Sequence, residues 1–143
     1  MRLADPFAHR RDSGSHELLL DTHALLWWIF DDPGLSSAAR DAIRDPQNRV
    51  LVSSASGWEI AMKHRLGKLP EAGKALENLP ASLRRARFET LPIALEHAIT
   101  AGALPGPRRD PFDRMLIAQS RLEGLPIVTN DPVFKRYDAR TIW

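Results

Sequence analysis

The chain has 143 residues, 43% hydrophobic and 27% charged, which is the size and balance of one globular domain able to bury a core without cross-links. Cysteine is absent, which excludes disulfides, thiolate-bound zinc and thiol catalysis and fits a reducing cytoplasm. A formal net charge of +2 announces no polyanionic partner, the apolar run at residues 24–30 is too short to cross a bilayer, and no signal peptide is expected.

Residues 1–16 mix proline, glycine, serine and charge without an apolar period, and are expected to form a flexible extension ahead of a single domain over residues 17–143. Glu17-Leu18-Leu19-Leu20-Asp21 is a short apolar run closed by an acid, expected as a strand buried on both faces, with a helix over residues 22–30. A second helix is expected over residues 36–44, capped by Ser36. Val50-Leu51-Val52 reads as another strand, followed by a helix that carries Trp58, Ile60 and Leu66 and stops at Gly67. Around Pro80, residues 71–87 predict two short helices, residues 88–93 a strand, and residues 94–103 a helix ended by Pro105-Gly106-Pro107. An amphipathic helix over residues 112–123, a strand at 126–129 and an edge strand at 139–142 complete the chain. Strands alternating with helices predict a parallel sheet covered by helices on both faces.

In such sheets ligands bind beyond the carboxyl ends of the strands, and acids cluster there. Asp21 closes the first strand, Asp131 follows Ile127-Val128-Thr129, and Glu59 falls in the expected first turn of the helix after Val50-Leu51-Val52. Asp110 and Asp113, three residues apart, open another helix. Each acid also has a structural reading. Ser56 and Glu59 have capping-box spacing, Asp110 and Asp131 each stand before a proline as helix caps do, and Asp113 suits the helix dipole. Asp21 fits this reading least, because it follows three leucines. Carboxylates brought together repel, and a hard divalent cation such as Mg²⁺ or Mn²⁺ relieves that repulsion and activates water against a phosphodiester.

The segments around these acids resemble the four motifs of PIN-domain ribonucleases of the VapC type. Leu18-Leu19-Leu20-Asp21-Thr22-His23-Ala24-Leu25 is similar to the first, and Ser54-Ala55-Ser56-Gly57-Trp58-Glu59-Ile60-Ala61 with Gly67-Lys68-Leu69 to the second. Asp110-Pro111-Phe112-Asp113-Arg114-Met115-Leu116 resembles the third, and Thr129-Asn130-Asp131 the fourth, all in family order. The resemblance implies a three-layer α/β/α fold with a five-stranded, mostly parallel sheet. It also implies a catalytic quartet at Asp21, Glu59, Asp113 and Asp131 holding Mg²⁺ or Mn²⁺, with Asp110 as an accessory ligand. RNA would be the substrate, a small antitoxin the inhibiting partner, and a homodimer the usual assembly. Thr22, His23, Arg108, Arg109, Arg114 and Asn130 flank the acids and are expected near the substrate. Arg108 stands where many relatives carry a histidine, and residues 1–16 are longer than the family's usual start.

Other residues read as structural. Adjacent Trp27 and Trp28 face different sides of a helix and are expected in the core or a dimer contact, while Glu96-His97 matches a family-typical pair of no derivable purpose. A phosphorelay receiver would need an acidic pair after the first strand and a lysine after the last, and a haloacid-dehalogenase phosphatase would need Asp-x-Asp where Asp21-Thr22-His23 stands. A PIN-fold binding module would lack one of the acids. A metal site of this kind also leaves DNA open as a substrate, because a 2′-hydroxyl contact is invisible in sequence.

Overall fold

The computed structural model describes residues 16–106 and 110–143. In chain order the elements are β1 (His16–Leu20), α1 (Thr22–Ile29), α2 (Ser37–Arg44), β2 (Asn48–Ser53) and α3 (Ser54–Arg65). A 3₁₀ turn (Pro70–Ala72), α4 (Gly73–Glu77), α5 (Leu79–Arg85) and β3 (Glu89–Leu91) follow. The chain ends with α6 (Leu95–Ala103), α7 (Pro111–Glu123), β4 (Ile127–Val128), α8 (Val133–Arg136) and β5 (Thr141–Ile142). The strands form one sheet in the order β3-β2-β1-β4-β5, with every pairing parallel.

β1 lies in the middle of the sheet, which is why its leucines run without polar interruption. Alternate side chains point to opposite faces, and both faces are covered. Leu18 and Leu20 join Val50, Val52 and Val128 against α1, α2 and α5. Leu19 joins Leu51, Leu91 and Ile127 on the other face, against Leu116 and Ile117 of α7 and Phe134 of α8. Local chemistry sets the element ends. Ser36 accepts the Ala39 N–H at 3.0 Å to start α2, and Gly124 ends α7 at φ 69°, where a residue with a Cβ is disfavoured.

The structure departs from the sequence reading in four places. His16 belongs to β1 rather than to the extension, so the paired strand starts one residue early. Residues 71–87 hold α5, α4 and the end of the 3₁₀ turn, and the break falls at Asn78 rather than Pro80. Pro80 sits in the first turn of α5, where the N–H it lacks has no helical acceptor. The one-turn helix α8 carried too little periodicity to be read. Finally, α3 begins at Ser54 with Ser53 as cap, accepting the Ala55 N–H at 3.0 Å, so Ser56 is not a cap and no Ser56–Glu59 capping box forms. Residues 1–15 and the expected contact residues Arg108 and Arg109 lie outside the described residues. Among the described residues no helix is long and apolar enough to cross a membrane.

Candidate active site

Asp21 is the first residue past β1 and the N-cap of α1, its Oδ1 accepting the Ala24 N–H at 2.7 Å. It is 5% exposed. Burial pushes its carboxyl above the ordinary aspartate range, and the charge of Asp131 adds to the rise. A hydrogen bond from the Thr129 side chain, the Ala24 N–H and the charge of His23 oppose it. Thr129 stands beside Asp21 because β4 pairs with β1 in the register Leu20↔Val128, so both strands hand over their next residue at the same height. Its Oγ1 also accepts the Asp131 N–H at 3.0 Å, while Asp131 Oδ1 accepts from Val133 N at 3.0 Å. Thr129 thus ties the acids of two strands together.

Glu59 approaches from β1's other neighbour, through α3. It lies in the second turn of that helix, one turn later than expected, and is 4% exposed. Oε1 accepts the Thr22 hydroxyl at 2.6 Å, Oε2 accepts the Lys63 ammonium at 2.6 Å, and Thr22 Oγ1 is 3.0 Å from Ser56 Oγ. Asp113 comes from the first turn of α7 and is half-buried. Asp110 caps that helix, its Oδ1 accepting Phe112 N at 2.8 Å and Asp113 N at 3.2 Å. The Phe112 ring meets Trp58 edge-on at 4.9 Å, which packs the start of α7 against the part of α3 that carries Glu59. The acids at this edge offer carboxylate oxygens, and Asp21 is a buried carboxylate with a second acid beside it. That donor chemistry fits a hard divalent cation better than zinc.

The PIN-domain profile matches residues 18–140. The chain belongs to the PIN-domain family. It is 32% identical to the ribonuclease VapC22 of Mycobacterium tuberculosis over 115 residues, 80% of this chain and 86% of that one. With the ribonuclease VapC16 of the same organism it shares 42% identity over 62 residues, so the matched part spans 43% of each chain. The crystal structure of VapBC2 from Rickettsia felis bound to a DNA fragment from their promoter contains a chain of the same fold. That chain superposes with a TM-score of 0.62 at 18% identity, covering 87% of this chain and 96% of its own.

Within this PIN domain the residues expected near substrate divide. His23 and Asn130 are exposed at the acid edge, whereas Thr22 is buried and holds Glu59. Arg114 serves the fold. Its Nε donates to Ala101 O at 2.9 Å and its Nη2 to the Leu104 carbonyl, closing the end of α6. Asp110 is likewise used as a cap. His97 also finds a purpose: Nδ1 accepts the Ala94 N–H at 2.9 Å and Nε2 lies 3.0 Å from Glu123 Oε1, pinning α6 to α7. The contacts that Thr129, Ser56 and Lys63 make with the acid-bearing segments were not expected from the sequence. Only Lys63 had a legible signal, its spacing four residues beyond Glu59. Trp27 and Trp28 do face different ways, Trp27 toward His23 and Trp143 and Trp28 toward Phe88.

Proposed function

We propose that this PIN domain is an endoribonuclease, the toxin of a toxin–antitoxin pair, which hydrolyses RNA phosphodiesters with Mg²⁺ or Mn²⁺ held by Asp21 and Asp113 and assisted by Glu59 and Asp131. The observation that carries the reading is Asp21, buried and proton-avid where β1 and β4 end side by side, with the charge of Asp131 beside it. A divalent ion bound at such an edge supplies activated water and neutralises charge developing on the phosphate. Asp21 and Asp131 are oriented for this by Thr129, and Glu59 by Thr22 and Lys63. RNA rather than DNA is favoured by the names of the two ribonuclease relatives, and an antitoxin partner by the VapBC2 neighbour. A cytoplasmic setting goes with the cysteine-free chain.

A homodimer is supported by an apolar face on α3 and α6. Trp58 is 60% exposed, Leu95 77% and Ile99 63%, and a cavity of about 220 Å³ opens between Trp58, Ile93, Phe112 and Met115. A face of this kind marks an interaction surface.

The test is cleavage of matched single-stranded RNA and DNA oligonucleotides with Mn²⁺, by the wild type and by Asp21→Asn and Asp113→Asn. RNA should be cut by the wild type and at least about 100-fold more slowly by either variant, since each removes a ligand carboxylate. Equal cutting of DNA would move the substrate class. Undiminished cleavage in both variants, or a wild type that binds RNA without cutting it, would replace the nuclease reading with that of a binding module.

A further inference from the structure

Glu59 is an acid with both oxygens already engaged. It is 4% exposed, and Thr22 and Lys63 each hold one carboxylate oxygen at 2.6 Å. The Lys63 side chain is 30% exposed, so its ammonium reaches the carboxylate from the outer flank of α3 rather than from the core. The long stem makes this possible, because helical side chains lean toward the helix N-terminus, which here is the acid edge.

Nucleases that use two ions hold them about 3.5–4 Å apart, which requires carboxylates close enough to be shared. Two sets of contacts stand at the acid edge. Asp21, Thr129 and Asp131 form one across β1 and β4, and Glu59, Thr22, Ser56 and Lys63 form the other across α1 and α3.

We propose that Lys63 is a built-in cation for the Glu59 half of the site, occupying on Glu59 the place a second divalent ion would take, so that the enzyme works with one divalent ion. The proposal rests on the nuclease reading above and deepens it. Lys63 acts through Glu59 and is a positioning residue. An ordinary helix-surface pair at this spacing would be screened and would leave metal stoichiometry untouched. Here the carboxylate is buried, and without its ammonium it becomes an uncompensated charge that recruits another cation.

The experiment counts Mn²⁺ bound per chain, from free Mn²⁺ by electron paramagnetic resonance and by calorimetry, alongside RNA cleavage across a Mn²⁺ series. The wild type should bind one ion and show a non-cooperative metal dependence. Lys63→Gln should acquire a second, weaker Mn²⁺ and lose about tenfold or more in kcat at low metal, with KM for RNA changed by less than about threefold. Lys63→Arg should keep one ion and most of the activity. Should Lys63→Gln fail to fold, Glu59→Gln/Lys63→Gln removes both charges together, and one bound ion is expected. Two ions on the wild type or on this double variant would overturn the proposal, as would a Lys63→Gln protein with one ion and normal kcat. If the wild type binds two ions and Asp21→Asn still abolishes cleavage, Lys63 loses its role while the nuclease reading stands. A wild type that binds no Mn²⁺ removes the metal site and this proposal together.

Discussion

Asp21 carries the tension of the site in a single side chain. Burial raises its carboxyl above the ordinary aspartate value of about 3.9, so the fold favours the protonated form. The stability that form contributes is present below the ordinary value and is lost as pH rises through the raised one. At pH 7 the ionised Asp21 is therefore a cost to the metal-free protein. Asparagine keeps an oxygen for the Ala24 N–H and for Thr129, and it caps a helix about as well as aspartate. Asp21→Asn should then melt a few degrees higher than wild type at pH 7, on the order of 1 kcal/mol, with the gain vanishing toward pH 4. Mn²⁺ should raise the wild-type melting temperature and leave the variant's unchanged. Calorimetric scans at both pH values check this, and a variant less stable at pH 7 would show that the carboxylate is well accommodated without metal. The acidic identity of this position was plain in the sequence. The threonines that orient the acids, Thr22 and Thr129, were not, because a hydroxyl's partners depend on which residues neighbouring elements bring alongside.

At the scale of elements, α6 and α7 are joined away from the acid edge. His97, 2% exposed, accepts from the Ala94 backbone at one nitrogen and faces Glu123 with the other. Both ring nitrogens are used, which gives the histidine of the Glu96-His97 pair a structural role that sequence periodicity did not reveal. Removing the ring leaves a cavity and strips a buried carboxylate of a partner, so His97→Ala should lower unfolding free energy by about 2–4 kcal/mol. Mn²⁺ affinity should stay within about twofold, because Glu123 lies at the far end of a 13-residue helix from Asp113, about 15 Å away at 1.5 Å per residue. Urea unfolding and metal titration of the same variant measure the two effects. A tenfold loss of Mn²⁺ affinity with stability intact would instead couple this pin to the metal site. The element boundaries show the same division. Ser36 and Gly124 act locally and were legible, while Ser53 displaced Ser56 as the cap of α3 because β2 runs on to Ser53 before the helix starts.

Among the described residues, the most exposed large apolar side chains stand on two helices. Trp58, Leu95 and Ile99 stand on α3 and α6, away from both core clusters. A stable interface buries about 800 Å² per partner around an apolar centre, and these side chains supply such a centre. Leu95→Asp/Ile99→Asp should convert a dimer to a monomer at micromolar concentration, read by sedimentation or light scattering. A wild type that is already monomeric would remove the dimer and leave the face to another partner.

The parallel three-layer architecture was contained in the order of elements, because Leu18-Leu19-Leu20 and Val50-Leu51-Val52 are apolar on both faces and can only be central strands. Asp21 was also readable as a strand-end acid, since a carboxylate directly after such a run has no apolar role. The partners of the acids were not readable. Thr22 is 37 positions from Glu59 and meets it only when α1 and α3 pack side by side, and Thr129 reaches Asp21 only through the register of β4 on β1. Sequence patterning encodes which side chains are buried and at which strand ends the acids stand. Strand pairing and helix packing decide which oxygen faces which cation, because those contacts exist only after distant segments are brought to hydrogen-bonding distance.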